Sequence, residues 1–141
     1  MGSPVLALSR IIMRGEEMKK EFEDLLGKTL SKIENLDNEE LIFTLANGEK
    51  YKLYHESDCC ESVTIEEIIG DLNDLIGSPI IQAEEVIHEQ DFNPKGIKIP
   101  EYQDSFTWTF YKLATAKGFV TIRWYGESNG YYSETVDFAK I

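Results

Sequence analysis

The chain has 141 residues, 42% hydrophobic and 28% charged, which suits one compact domain with a real core and is short for two. Its 26 acidic and 14 basic residues leave a net charge of -12, a field that repels nucleic acid and anionic membranes. General nucleic-acid binding and membrane association are therefore not expected. One small anionic ligand stays compatible, because salt screens a distant net charge.

Residues 4–13, PVLALSRIIM, are apolar, but Arg10 interrupts a run already too short to span a membrane. Residues 1–14 read as a disordered leader or a cloning remnant, and residues 15–141 as the single domain. From Glu16 the pattern turns helical. Met18, Phe22, Leu25 and Leu26 share a face, and Gly27 is placed for a left-handed C-cap. A strand follows at about 29–36, then the acidic turn Asp37-Asn38-Glu39-Glu40. In ELIFTLANGEKYKLYH, a three-residue loop at Ala46-Asn47-Gly48 pairs Leu45 with Glu49, Phe43 with Tyr51 and Leu41 with Leu53. That register collects the apolar residues on one face.

After HESDCCES the period lengthens. Thr64 and Glu67 form a T-x-x-E capping box, and Ile65, Ile68, Ile69, Leu72, Leu75 and Ile76 follow at helical spacing. This predicts a helix over 64–76, ended by Gly77. PIIQAEEVIH reads as a strand and residues 89–104 as a long loop. Two hairpins complete the chain. A three-residue loop at Ala116-Lys117-Gly118 pairs Tyr111 with Arg123 and Phe110 with Trp124; another at Ser128-Asn129-Gly130 pairs Tyr125 with Ser133 and Ile122 with Val136. Trp108, Phe110, Val120, Ile122, Trp124, Val136 and Phe138 then make a core face. The fold class expected is α+β, a mostly antiparallel sheet of hairpins with one or two packed helices.

The opposite face carries hydroxyls and aromatic rings around a lone cation. Its candidate ligand-binding residues are Arg123, Tyr111, Tyr125, Tyr131, Tyr132, Ser133 and Thr109. A guanidinium forks onto phosphate or carboxylate, and tyrosine rings stack on planar bases. Three readings stay open: a ligand site, a subunit interface in a homo-oligomer, and a solvated face with Arg123 paired to Asp137 or Glu127.

His55, Asp58, Cys59, Cys60 and Glu61 include every common zinc ligand type, but without paired spacing, so no metal site is expected. The adjacent cysteines are expected to be reduced and buried in a reducing cytoplasm, with a reactive thiolate as the alternative. Glu66, Glu67, Asp71 and Asp74 read as the polar outer face of the predicted helix. Glu134 is the exception to parity: it falls beside Trp124 on the core face, marking a polar opening or a bulge. Phosphate-loop, dinucleotide, nucleophile-elbow and zincin patterns are missing from the sequence, so neither catalytic residues nor a cofactor are assigned.

Three segments together, D-C-C-E at 58–61, G-D-L-x-D-L-I-G at 70–77 and R-W-Y-G-x-S-N-G-Y-Y-S at 123–133, resemble a family of small tailed-phage and prophage proteins catalogued as a domain of unknown function. The likeness spans roughly residues 28–138. It implies an accessory protein working in bacterial cytoplasm. Phage proteins of this size often antagonise host defence, so the function expected is non-enzymatic sequestration of a nucleotide-derived immune messenger. The alternatives are an acidic inhibitor of a basic host defence protein, and a phosphodiesterase-like hydrolase of the signal.

Overall fold

The structure, a computed structural model, describes residues 18–89, 105–130 and 132–141. The expected leader, Tyr131 and all but the first residue of the loop expected at 89–104 lie outside the described residues. Among the described residues the strands are β1 (Met18–Lys19), β2 (Leu30–Leu36), β3 (Glu40–Leu45), β4 (Lys50–Tyr54), β5 (Ser62–Ile69), β6 (Gln82–Glu89), β7 (Ser105–Thr115), β8 (Gly118–Ser128) and β9 (Asp137–Lys140). They form two antiparallel sheets, in the orders β1-β9-β4-β3-β2 and β5-β8-β7-β6. Among the described residues, helical structure is confined to single 3-10 turns at Phe22–Leu25 and Leu72–Leu75. The α+β expectation is therefore corrected to an all-β arrangement of two sheets sharing one core.

The first hairpins follow their sequence. Leu41 pairs with Leu53 and Phe43 with Tyr51, and Leu45 N–H donates to the Glu49 carbonyl at 2.8 Å. Gly48 has φ 96, the left-handed value its loop demands. Leu41, Phe43, Tyr51 and Leu53 are all buried, each worth about 1.5–3 kcal/mol of apolar transfer. At the preceding turn, Asp37 and Asn38 take φ of 55 and 61, held by a bond from Asn38 N–H to Asn35 Oδ1 at 2.9 Å. Ile65 N–H donates to the Asn38 carbonyl at 2.8 Å, which ties this turn of the first sheet to β5 of the second.

The helix predicted over 64–76 is overturned: its first half is strand β5. Val63, Ile65 and Ile68 turn toward the core at an uneven interval because the ladder slips between Ile65 and Glu67. A bulge adds one residue to a strand, so a spacing of two becomes three and imitates helical period. Gly70 ends β5 with φ 108, and a Cβ there would lie 2.5 Å from the Phe119 carbonyl oxygen. Only glycine fits. The helix expected from Glu16 likewise shrinks to β1 and one 3-10 turn, though Gly27 does take positive φ, at 82.

β7 and β8 meet through a two-residue connection, not the three-residue loop expected: Thr115 pairs with Gly118, Tyr111 with Ile122 and Phe110 with Arg123. A slip of one residue turns every side chain of β7 to the other face relative to β8. Tyr111, Leu113, Val120, Ile122 and Trp124 therefore belong to the shared core, while Trp108 and Phe110 lie on the outer face with Arg123. Thr115 anchors this connection, its hydroxyl bonding to the Asp74 carbonyl and accepting from Lys117 N–H at 3.1 Å. The last hairpin is also corrected. β9 pairs with β4 and β1, not with β8, and Phe138 stacks on Tyr51 at 5.3 Å between ring centroids.

Candidate functional site

Arg123 sits in the middle of β8 and is only 2% exposed. Its Nε donates to Glu66 Oε1 at 2.6 Å and its Nη2 to Glu67 Oε1 at 2.5 Å. The β5 bulge explains how two consecutive residues reach one partner: Glu67 pairs across to Arg123, and Glu66 is the extra residue beside it. The guanidinium also lies 5.7 Å from the Trp108 ring centre. Glu66 and Glu67 are thus ion-pair partners, and Asp74 supplies a carbonyl to Thr115; the helix face expected from Glu66, Glu67, Asp71 and Asp74 does not form.

The expected tyrosine cluster is divided between faces. Tyr111 is fully buried in the core, its ring 4.6 Å from Phe22 and its hydroxyl donating to Glu85 Oε2 at 2.6 Å. Burial, reinforced by the Glu85 carboxylate, pushes its phenol well above the usual range. Tyr125 packs on the outer face against Trp108, with ring centres 4.6 Å apart. Burial first, then the Glu127 charge, raises its phenol to about 12. Tyr125 shares its face with Arg123 and is turned away from the other three described candidates.

Those three come together at the end of the face that carries Tyr111 and Trp124, because Thr109 pairs with Trp124 and stands two residues from Tyr111 on β7. Thr109, Tyr132 and Ser133 line a cleft of about 270 Å³ with Ile87, Ser105, Thr107, Glu134 and Thr135. Gly130, with φ 89, follows the end of β8, and Tyr132–Thr135 line the cleft together with residues of β6 and β7. At the floor lies Glu134, 8% exposed, accepting from Thr107 Oγ1 at 2.7 Å and from Ser128 Oγ at 2.6 Å. Each carboxylate oxygen takes one hydroxyl and keeps further lone-pair capacity. Gly126 makes room beneath it: a Cβ there would stand 3.0 Å from both the Cβ and the carbonyl oxygen of Glu134. Glu134 was marked by its parity. Thr135 belonged to the hydroxyl-rich face read from the sequence, whereas Ser105 and Thr107 carried no sequence signal that set them apart as lining residues.

A match to the family model Domain of unknown function (DUF7448) covers residues 23–138, most of the chain. This chain belongs to DUF7448. Neither the curated proteins nor the solved structures contain a match.

The DUF7448 domain carries a second polar centre at the segment between β4 and β5. His55 Nε2 bonds to Glu61 Oε2 at 2.6 Å, and Nδ1 bonds to the Thr135 carbonyl at 2.7 Å. Both ring nitrogens are thus engaged by oxygen atoms. Glu61 also accepts from the Asp58 and Cys59 amides at 2.7 and 3.0 Å. The Cys59 amide and then the His55 ring hold its carboxyl down to about 2. Cys59 and Cys60 are exposed and disulfide-bonded, which corrects the expectation of buried, reduced thiols. Among the described residues, no three His, Cys, Asp or Glu side chains are grouped to hold a metal ion, and no helix is long and apolar enough to cross a membrane.

Proposed function

We propose that this DUF7448 chain is a non-enzymatic binding protein that retains a small nucleotide-derived ligand in the cleft over Glu134. The observation that carries this reading is the sheltered carboxylate, held by two hydroxyls in a cleft lined by further hydroxyls and Tyr132. A carboxylate accepts N–H groups in pairs, as a guanine edge presents them, and the Thr109 and Ser133 hydroxyls suit a ribose. The volume lies near the lower end of ligand cavities, about 300 Å³, so it suits one base or sugar. None of the lining residues is basic, and Arg123 is committed to Glu66 and Glu67. The phosphates of such a ligand would therefore point outward, a change from the contact expected at Arg123. The biological setting we propose is a tailed-phage accessory protein holding a host immune messenger, on the resemblance drawn above.

Titration calorimetry with guanosine, adenosine and a guanine cyclic dinucleotide tests this. Guanine compounds should bind and be recovered intact, and Glu134→Gln should weaken them at least tenfold, which is 1.4 kcal/mol. Absence of binding to all three, or binding unchanged in Glu134→Gln, would overturn the reading.

A further inference from the structure

Cys59 and Cys60 are joined by a disulfide, and both residues are exposed. A bond between neighbours closes the shortest loop a chain offers, so it removes little entropy from the unfolded ensemble. It contributes almost nothing as a staple. The exposure of both residues places the bond at the surface, where thiolates can approach it, as in labile rather than structural disulfides. The same stretch is anchored inward at Glu61, whose two oxygens take the Asp58 and Cys59 amides at 2.7 and 3.0 Å. Glu61 passes that contact to His55, and His55 to the Thr135 carbonyl.

We infer that Cys59 and Cys60 form an exchange site for low-molecular-weight thiols and disulfides of the glutathione class, and that Glu61 transmits the state of the pair to His55. In the oxidising direction, the thiolate of one cysteine attacks a small disulfide, forms a mixed disulfide and releases one small thiolate. The neighbouring cysteine, as thiolate, attacks the protein sulfur of that mixed disulfide, closes the Cys59–Cys60 bond and expels the second small thiolate. The two cysteine protons end on the two released thiols. The protein pair is oxidised by two electrons and the small disulfide is reduced by two. Two small thiols reverse the sequence. The closed ring contains the Cys59–Cys60 peptide, so opening it releases ψ of Cys59, the residue whose amide, just outside the ring, is bonded to Glu61. This site stands independently of the cleft over Glu134.

The test incubates the full chain in graded mixtures of reduced and oxidised glutathione, traps thiols by alkylation and weighs the products. The expected result is a reversible passage from two alkyl groups per chain to none, without a lasting glutathione adduct. Cys60→Ser, which has no neighbouring thiol, should instead hold one glutathione. His55 ring signals in an NMR spectrum should differ between the two forms. A wild-type pair that stays dithiol at every ratio, or that accumulates the adduct, overturns the exchange site. Identical His55 signals in the two forms overturn the transmission through Glu61.

Discussion

His55 and Glu61 are joined at 2.6 Å between imidazole Nε2 and carboxylate Oε2, with side-chain exposures of 6% and 0%. Six residues apart in sequence, they close the segment between the two sheets on itself, and Thr135 fixes the far side of the ring. That bond makes acid stability a readable property of one carboxylate.

Glu61 is held near about 2 in the folded protein against 4.5 for an ordinary glutamate, chiefly by the Cys59 amide. Because the folded value is the lower one, the unfolded chain binds the extra proton as pH falls. The contribution of Glu61 is complete above about pH 4.5 and is lost on descent toward about pH 2. Urea denaturation across that window should show the midpoint falling, and Glu61→Gln should flatten the fall. An equal slope in wild type and variant would remove Glu61 as its source.

Arg123 should prove asymmetric with its partners. The guanidinium is buried, whereas Glu66 and Glu67 keep side-chain exposures of 33% and 48% and regain water when released. Arg123→Met should therefore cost less than the Glu66→Gln, Glu67→Gln double variant, which strands a buried cation at about 3–5 kcal/mol. Chemical denaturation of both proteins decides it, and the reverse order would contradict the burial argument.

Tyr111→Phe removes one buried hydroxyl and its bond to Glu85. The expected loss is about 0.5–1.5 kcal/mol of stability, with guanosine binding unchanged, because Tyr111 is a core residue. A loss of binding at unchanged stability would return Tyr111 to the ligand site.

Gly126→Ala presses a methyl group against Glu134 and, at 3.1 Å, against Val63 Cγ2. Overpacking of this kind costs about 1–3 kcal/mol and should displace the cleft floor. Melting and guanosine titration should both weaken, whereas Glu134→Gln should weaken binding chiefly. Tight guanosine binding by Gly126→Ala would show that the floor does not set the ligand.

Much of the first sheet was legible because its signals are local. Ala46-Asn47-Gly48 supplies its own loop, and a loop of known length sets the register of Phe43 against Tyr51 without help from distant residues. Gly48 takes the positive φ its loop demands, and Gly27 and Gly77 take it too although the helices they were expected to end do not form. In the candidate site, the parity that singled out Glu134 rested on a hairpin that does not form; the cleft lined by Thr109, Tyr132, Ser133 and Glu134 is a tertiary arrangement.

The sequence by itself determined the acidic field and the first hairpin with its loop and register, whereas the α+β class it suggested was overturned. Tertiary structure decided the rest, because each remaining choice depended on contacts far along the chain. Whether 62–69 became helix or strand depended on pairing with β8, where a bulge at Glu66 makes strand spacing look helical. Whether Arg123 faced Tyr111 or Trp108 turned on one residue of loop length, anchored by the Thr115 hydroxyl on Asp74, 41 positions away. Side chains alternate with a period of two, so that single residue exchanges the faces and moves the candidate site from Arg123 to Glu134.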